Sequence, residues 1–205
     1  MNERVIRCLD EGLQTMELSL SDEVRSRLLA FVALLHKWNG AYNLTAVRDI
    51  EVMVTRHLLD SLAILPWIEG PRLLDVGSGA GLPGLVLAIA RPDITLTSID
   101  SNGKKIRFQR QAVFELGLDN VKPVHDRVET LEGVVFEQIT SRAFAAPADF
   151  VTLTRDLLAP GGHWLAMAGR VDDIILPDSV SLTRTWPLSI PGEQAQRHLL
   201  KMEAT

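Results

Sequence analysis

Three glycines at alternating positions are the feature of this sequence that most restricts its fold. They are Gly77, Gly79 and Gly81. They directly follow a short apolar run at 72–76, which predicts a buried strand, and precede an apolar stretch at 84–91, which predicts a helix. Glycine allows positive φ angles and lets the backbone approach a ligand closely. The segment therefore predicts a loop that binds a nucleotide-type cofactor at the end of a parallel sheet.

Strands and helices alternate along most of the chain. Further strands are predicted at 94–99, 121–125, 138–143 and 163–168, and helices at 49–65, 84–91, 103–116 and 148–158. Such alternation is typical of a parallel sheet covered by helices on both faces. In the tail, segments at 179–188 and 197–203 flank a Pro-Gly turn and predict a closing antiparallel hairpin. We therefore expect an α/β fold of the Rossmann-like, doubly wound type.

The first 65 residues are predicted to be helical. Ser21 suits a helix N-cap, and apolar residues then recur every three or four positions. Asn39 and Gly40 are expected to end this helix. The change of pattern near Pro66 predicts two parts, a helical extension at residues 1–65 and a sheet domain at residues 66–205.

Two classes of cofactor fit a glycine loop of this kind. The dinucleotide fingerprint G-x-G-x-x-G fails from Gly77 because Leu82 occupies its last position, and from Gly79 it begins three residues beyond the strand. The Asp-x-Gly-x-Gly-x-Gly pattern from Asp75 to Gly81 resembles the first motif of class I S-adenosylmethionine-dependent methyltransferases. That resemblance implies an acidic residue near the amino acid part of the cofactor.

A second acidic residue, Asp100, ends the second predicted strand. It follows Gly77 by 23 positions, an offset that suits a carboxylate accepting hydrogen bonds from ribose hydroxyls. A carboxylate at this position is also a common cap for the following helix. Because both cofactors contain a ribose there, Asp100 does not separate S-adenosylmethionine from NAD, and a nicotinamide-dependent oxidoreductase remains an alternative.

The composition excludes several classes of protein. The chain is 46% hydrophobic and 23% charged, and no apolar run approaches the roughly 20 residues of a membrane-spanning helix. Cys8 is the single cysteine, which excludes a disulfide framework and a cysteine-rich zinc site. The N-terminus lacks the apolar region of a signal peptide, so we expect a cytoplasmic protein that does not bind a membrane. The net charge of −5 argues against binding bare nucleic acid by charge alone.

Residue types that are missing narrow the choice of methyl acceptor. Methylation at carbon 5 of a pyrimidine needs a cysteine nucleophile, and Cys8 lies far from any predicted strand end. Methylation of exocyclic amines commonly uses an Asn/Asp-Pro-Pro-aromatic motif, which residues 141–145 lack. There is also no evident set of carboxylates for a metal. The remaining acceptors have a ready lone pair and need no general base, and guanine N7 is one of them.

An ordered series of motifs gives the chain a family resemblance from about Trp38 to the C-terminus. The motifs are Trp38-Asn39 with Tyr42-Asn43-Leu44-Thr45, Arg56-His57-Leu58-Leu59-Asp60-Ser61, the loop from Asp75 to Gly84, Asp100-Ser101 with Lys104-Lys105, Arg127-Val128-Glu129 and Ser141-Arg142-Ala143-Phe144. The chain resembles the bacterial small-subunit (16S) ribosomal RNA guanine-N7 methyltransferases, also called glucose-inhibited division protein B. The resemblance implies a class I methyltransferase fold and S-adenosylmethionine-dependent methylation of guanine N7 in 16S rRNA. We expect a monomer that acts on ribosomal RNA within a small-subunit particle.

The resemblance, taken with the loop, also implies a cofactor site. Its members are Asp75, Gly77, Gly79, Gly81, Leu82, Asp100, Val128, Glu129 and Arg142. Val128 and Glu129 would lie at the adenine. Arg142 would also reach the incoming base, which makes it the candidate catalytic residue through positioning. An Arg at the carboxyl end of a parallel strand points toward the ligand crevice, although an ordinary salt bridge is its alternative role.

The substrate would be contacted by polar residues of the helical part and by a basic cluster. These residues are Asn43, Arg48, His57 and Asp60, followed by Lys104, Lys105, Arg107 and Arg110. The alternatives are a turn role for Asn43, a structural pair of His57 with Asp60, and a solvated helix face for the cluster. A methyltransferase for a small molecule or a protein and a non-catalytic scaffold remain alternative functions.

One position departs from the family pattern. Family members usually carry a lysine before the glycine at the end of the fifth strand, and this chain has Ala168 before Gly169. A lysine there would neutralise a substrate phosphate or hold a loop. Its absence puts that contact in doubt, and Arg170 is the candidate replacement.

Overall fold

A computed structural model of the chain describes residues 2–142, 146–169, 171 and 174–205. The helices are α1 (Glu3–Thr15), α2 (Asp22–Tyr42), α3 (Ile50–Met53), α4 (Asp60–Leu62), α5 (Gly84–Ala90), α6 (Gly103–Leu116) and α7 (Pro147–Thr154). A π-helical segment, Val54–Leu59, joins α3 to α4, and 3-10 turns lie at Leu65–Trp67, Val128–Thr130 and Arg155–Leu157. The strands are β1 (Arg72–Val76), β2 (Thr95–Asp100), β3 (Val121–His125), β4 (Phe136–Arg142), β5 (Leu158–Ala168), β6 (Val180–Pro187) and β7 (His198–Ala204). Within these ranges, no helix combines the length and apolarity needed to cross a bilayer.

The strands form one seven-stranded sheet in the order β3-β2-β1-β4-β5-β7-β6. β1 to β5 pair in parallel, whereas β7 is antiparallel to both β5 and β6. The predicted α/β fold with a C-terminal antiparallel hairpin is therefore confirmed. The strand order reverses between β1 and β4, and sheets of this kind bind ligands at the carboxyl ends of the strands beside that reversal.

The first long helix begins where the sequence predicted and ends later. The Ser21 side chain accepts a hydrogen bond from the N–H of Val24, as an N-cap should. The predicted end at Asn39 and Gly40 is wrong, because α2 continues to Tyr42. The buried Asn39 amide donates to the carbonyl of residue 47, at 2.8 Å, and accepts from the N–H of residue 45, at 2.9 Å. Its polar side chain therefore holds the following loop instead of stopping the helix.

The helix predicted at 49–65 is interrupted. It starts after Asp49, whose side chain caps α3, and becomes π-helical over Val54–Leu59 before α4. Helical structure ends in the 3-10 turn Leu65–Trp67, close to the expected boundary. π-helical turns are rare and occur often at functional sites. The π-helical geometry therefore indicates Val54–Leu59 as a segment that contributes side chains to a functional site.

Apolar cores cover both faces of the sheet. On one face, Phe31 and Trp38 of α2 contact Phe108 of α6, with ring centroids 6.0 and 5.8 Å apart. This core extends from Val5 to Leu199 and so includes residues on both sides of the predicted boundary after residue 65. A second core on the other face contains Trp164. The division into an extension and a domain stays a prediction.

Candidate active site

The glycine loop leaves β1 beside the reversal of strand order. Gly77, Gly79 and Gly81 have φ angles of 64°, 58° and 85°, so all three use the left-handed region that favours glycine. Gln109 of α6 donates hydrogen bonds to Ser78 Oγ and to the Gly79 carbonyl oxygen, each at 2.8 Å. The conformation of the loop is therefore fixed by its own glycines and by α6.

Asp100 ends β2 next to this loop. Its carboxylate oxygens accept hydrogen bonds from the N–H of Gly79, at 2.8 Å, and of Asn102, at 2.7 Å. Asn102 is the residue that caps α6, because its side chain accepts from the N–H groups of Lys104 and Lys105. The capping role considered for Asp100 thus falls to Asn102, and Asp100 holds the loop.

A cavity of about 170 Å³ opens between the ends of β1 and β2. Gly77, Asp100, Val128 and Glu129 all line it. Val128 is buried and offers an apolar wall. Glu129 accepts a hydrogen bond from Arg127 at 2.6 Å, and this bond lowers the pKa of Glu129. The cavity combines a carboxylate with an apolar surface, which are the features that a ribose and an adenine require.

Asp75 lies beneath the loop and lines neither this cavity nor the larger one that adjoins it. Its Oδ2 accepts a hydrogen bond from the N–H of Gly84 at 2.9 Å, and its Oδ1 has no hydrogen-bond partner in the described part of the chain. Burial raises the pKa of Asp75 to about 7. A Cβ on Gly84 would lie only 2.6 Å from Asp75 Oδ2. Asp75 therefore holds the start of α5, and its contact with the cofactor stays a prediction.

A larger cavity, of about 720 Å³, adjoins the first at Gly77, which lines both. Its walls come from some of the residues between 44 and 60, from the glycine loop with Leu82 and Lys105, from the carboxyl ends of β4 and β5, and from α7 and Arg197. Gly79 lines it, whereas Gly81 does not. A ligand that passes over Gly77 would extend from one cavity into the other.

Arg142, at the end of β4, lines the larger cavity. Its Nη1 donates hydrogen bonds to the Asp60 carboxylate, at 2.8 Å, and to the carbonyl oxygen of Arg56, at 3.0 Å. The other carboxylate oxygen of Asp60 lies 3.5 Å from Nε of Arg197. One buried carboxylate therefore orients two guanidinium groups. The salt bridge considered for Arg142 is real, and it lies in the wall of the cavity.

His57 lies in the π-helical segment and also lines the larger cavity. Its Nδ1 is 2.9 Å from the carbonyl oxygen of Arg56, and its Nε2 is 2.9 Å from Thr45 Oγ1. Burial, followed by the charge of Arg142, lowers the pKa of His57 to about 4. The ring is neutral at neutral pH, so Nδ1–H donates to the carbonyl and Nε2 accepts from the hydroxyl.

The other predicted substrate residues divide into two groups. Lys105 lines the larger cavity, whereas Lys104, Asn43 and Arg48 do not. Asn43 ends α2 with a φ of 52°, and its side chain accepts a hydrogen bond from Arg48. Arg48 also donates to the carbonyl oxygen of Asn39 at 2.9 Å. These contacts shape the loop after α2, as the turn role considered for Asn43 requires.

Arg197 is a charged residue of the larger cavity that the sequence patterns do not indicate as part of the site. The hairpin predicted from the sequence could have indicated this position. Because β7 runs antiparallel to β5, the start of β7 lies beside the carboxyl end of β5, where the ligand cavity is. Ala168, at the position of the usual family lysine, lines the same cavity as Arg197. Arg170 and the part of the last family motif at 143–145 lie outside the described residues. Within the described ranges, no group of three or more His, Cys, Asp or Glu side chains is placed to hold a metal ion.

Comparison with known families selects among the functional alternatives. The GidB family, described as rRNA small subunit methyltransferase G, matches residues 25–200. The chain belongs to this family. The matched range includes both cavities and the loop that joins them.

Individual relatives agree with the family match over most of their length. A ribosomal RNA small subunit methyltransferase G of Chromohalobacter salexigens is 59% identical over 197 residues, which are 95% of each chain. The protein of the same name from Marinobacter nauticus is 53% identical over 94% of this chain and 92% of the relative.

Solved structures share the fold at low sequence identity. TrmN from Thermus thermophilus has a TM-score of 0.58 and 17% identity, over 80% of this chain and 52% of its own. A SAM-dependent methyltransferase from Aquifex aeolicus has a TM-score of 0.56 and 16% identity, over 73% of this chain and 92% of its own. The class I methyltransferase fold is confirmed, and fold and family together support S-adenosylmethionine as the cofactor.

Proposed function

We propose that this chain transfers the methyl group of S-adenosylmethionine to N7 of a guanine in 16S ribosomal RNA. The observation that carries the proposal is the family match over residues 25–200, which contain two joined cavities at the carboxyl edge of the sheet. In this proposal the smaller cavity binds the nucleoside part of the cofactor, and the larger cavity binds the methionine part and the guanine.

The residues of the two cavities suit S-adenosylmethionine. Asp100 would accept hydrogen bonds from the ribose hydroxyls, and Val128 would pack against the adenine. Gly77 and Gly79 leave room for a ligand to pass over the loop. Arg142 has the positive charge that suits the carboxylate of the methionine part of the cofactor. When bound, S-adenosylmethionine supplies an electrophilic methyl group on a sulfonium sulfur, which keeps the electron pair of the broken carbon–sulfur bond.

The wall of the larger cavity suits an acceptor that needs no general base. Guanine N7 has a free lone pair, so a nitrogen–carbon bond forms there without the loss of a proton. Asp60 is the one carboxylate in the described wall, and guanidinium groups face both of its oxygens. His57 has both ring nitrogens in hydrogen bonds. The contribution of these residues would therefore be to position the base.

The proposed substrate is ribosomal RNA within a small-subunit particle, bound by a monomer in the cytoplasm. The net charge of −5 supports a structured substrate, because a protein with excess acid binds bare RNA weakly. A folded particle offers additional contacts beyond phosphate charge. The protein's positive charge is locally concentrated instead, since residues 101–114 contain four basic residues and no acid.

Calorimetric titration tests the cofactor assignment. We expect S-adenosylhomocysteine to bind with a measurable heat and NAD to give none. Heat from NAD together with none from S-adenosylhomocysteine would overturn the assignment and favour an oxidoreductase.

Methylation assays test the acceptor. Ribosomal RNA from a strain that lacks the gene should be missing one N7-methylguanine, and the purified protein should restore it. The purified protein should methylate small subunits faster than naked RNA or whole ribosomes. An unchanged content of N7-methylguanine in the deletion strain would contradict the proposal and favour a small-molecule or protein acceptor.

A further inference from the structure

The outer side of α6 combines positive charge with an exposed aromatic ring. Phe114 is 82% exposed, and Lys104, Arg107 and Arg110 are exposed along the same helix. At about 100° per residue, these four side chains lie within an arc of about 120° around the helix axis. We call the set Lys104, Arg107, Arg110 and Phe114 the α6 face.

The cations of the α6 face have no acidic partner within 4.0 Å in the described part of the chain. The nearest acid along the helix, Glu115, accepts a hydrogen bond from Gln111 at 2.7 Å. Arg25 and Arg27 of α2, by contrast, each pair with a carboxylate. The α6 face therefore presents three positive charges that no acid among the described residues neutralises.

The helix that carries this face begins at the proposed cofactor site. Lys105, in its first turn, lines the larger cavity, and Gln109 holds the glycine loop. Phe114 follows Lys105 by nine positions, which is about 13.5 Å along the helix axis and about 180° around it. An RNA strand with one base in the larger cavity would therefore have to bend around α6 to place a nearby nucleotide against Phe114.

We propose that the α6 face binds unpaired nucleotides of the RNA strand that carries the target guanine; this inference rests on the proposed function, since it requires an RNA substrate. Lys104, Arg107 and Arg110 would contact phosphates, while a base stacks on Phe114. Proteins bind single-stranded nucleic acid through this combination of basic and aromatic side chains. A second copy of this chain fits less well, because a two-fold interface would bring the same positive charges together.

Binding of a fluorescein-labelled single-stranded RNA of about 12 nucleotides, within the site sizes of single-strand binding folds, tests the inference. Phe114→Ala should weaken binding on the order of tenfold, the effect of losing one stacked base, without changing its salt dependence. Arg107→Ala should lower the slope of log affinity against log salt by about 0.7, the value for one phosphate contact on a single strand. Phe114→Trp should retain the affinity of the unaltered chain.

Two matched variants serve as controls. Ile175 is 79% exposed, and Arg184 is exposed on the edge strand β6. Ile175→Ala and Arg184→Ala remove an exposed apolar group and an exposed cation away from α6, so both should bind RNA as the unaltered chain does. The affinity for S-adenosylhomocysteine should be the same in all variants, because neither Phe114 nor Arg107 lines a cavity.

Three results would overturn the inference. The first is no binding of the RNA by the unaltered chain at low salt, and the second is equal affinities for Phe114→Ala and Ile175→Ala. The third is a dimer of the unaltered chain in light scattering that Phe114→Ala dissociates, since the face would then join two copies. A methylation assay with small subunits separates these failures from a failure of the proposed function. If only the inference about the α6 face is wrong, the unaltered chain still methylates small subunits; if the proposed function is wrong, it does not.

Discussion

Carboxylates in this site hold other groups in place. Asp100 accepts a hydrogen bond from Gly79, and Asp75 accepts one from the first residue of α5. Asp60 lies between the guanidinium groups of Arg142 and Arg197. Residue by residue, the acids of the site therefore fix a loop, a helix start and two cations. None of these roles requires the acid to accept a proton during methyl transfer.

Asp100 is the acid whose removal should affect the cofactor most directly. Asp100→Ala should weaken binding of S-adenosylhomocysteine at least tenfold, because it removes the proposed ribose acceptor and the hydrogen bond to Gly79. Asp100→Asn keeps one oxygen acceptor and should have an intermediate affinity. Calorimetry measures both, with Asp119→Ala, a change of an exposed acid beyond α6, as the control. Unchanged affinity in Asp100→Ala would remove the ribose role.

Among the elements, the π-helical segment has the clearest link to the site. Arg56 provides a carbonyl oxygen that accepts from both Arg142 and His57, and its own side chain pairs with Glu193. These contacts come from consecutive residues, Arg56 and His57, in the wider turn of Val54–Leu59. The irregular helix thus connects β4 and the hairpin to the wall of the larger cavity.

Titration of His57 should make the stability of the protein depend on pH. Its pKa is about 4 in the folded chain and 6.5 in the unfolded chain, so only the unfolded chain takes up this proton between those values. The stabilisation is complete above pH 6.5 and is lost as the pH falls to 4, by up to about 3 kcal/mol. In urea unfolding, the difference in unfolding free energy between pH 7 and pH 5 should shift in favour of pH 5 in His57→Gln relative to the unaltered chain. His36→Gln, at an exposed histidine of α2, should leave this difference unchanged.

Asp75 should act in the opposite direction over nearly the same range. Its pKa is raised from 3.8 to about 7, so between these values the folded chain keeps a proton that the unfolded chain releases. This contribution to stability falls as the pH rises from about 4 to about 7. The two groups partly cancel in the unaltered chain, and His57→Gln should reveal a stability that increases toward acid pH. A stability of His57→Gln that still decreases toward acid pH would contradict both assignments.

Most helices and strands could be predicted from local sequence patterns, because the spacing of apolar residues follows burial and the capping residues mark helix ends. The strand at 72–76, the strand at 121–125 and the helix at 103–116 have the predicted bounds. The end of α2 was not predictable, since Asn39 forms its hydrogen bonds with residues that the helical pattern does not contain. The loop and Asp100 were evident from strand ends, whereas the pairing of Asp60 with Arg197 depends on tertiary structure alone.

Considered as a whole, the molecule builds the larger cavity from distant parts of its sequence. Arg56, from the helical part, pairs with Glu193 of the hairpin at 3.1 Å. Arg197, just before β7, pairs with Asp60. The smaller cavity, in contrast, is lined by residues between 76 and 153 alone. The two cavities should therefore respond differently to changes in the hairpin.

Arg197→Ala tests this difference. The variant should keep its affinity for S-adenosylhomocysteine within about threefold, whereas kcat/KM for small subunits should fall about tenfold or more, as expected if the guanidinium group contacts the bound RNA. Calorimetry and methylation kinetics measure the two effects. Arg184→Ala, on the outer strand of the same hairpin, should change neither. A loss of S-adenosylhomocysteine affinity with unchanged kinetics for small subunits would contradict the separation.

The antiparallel last strand also determines when the protein acquires a complete site during its synthesis. Asp60 leaves the ribosome first, Arg142 follows, and Arg197 comes last, immediately before the strand that pairs with β5. A nascent chain therefore holds the glycine loop long before it can form the wall that contains Arg197. A polypeptide terminated before Arg197 would contain the cofactor loop without the second guanidinium of the cavity wall.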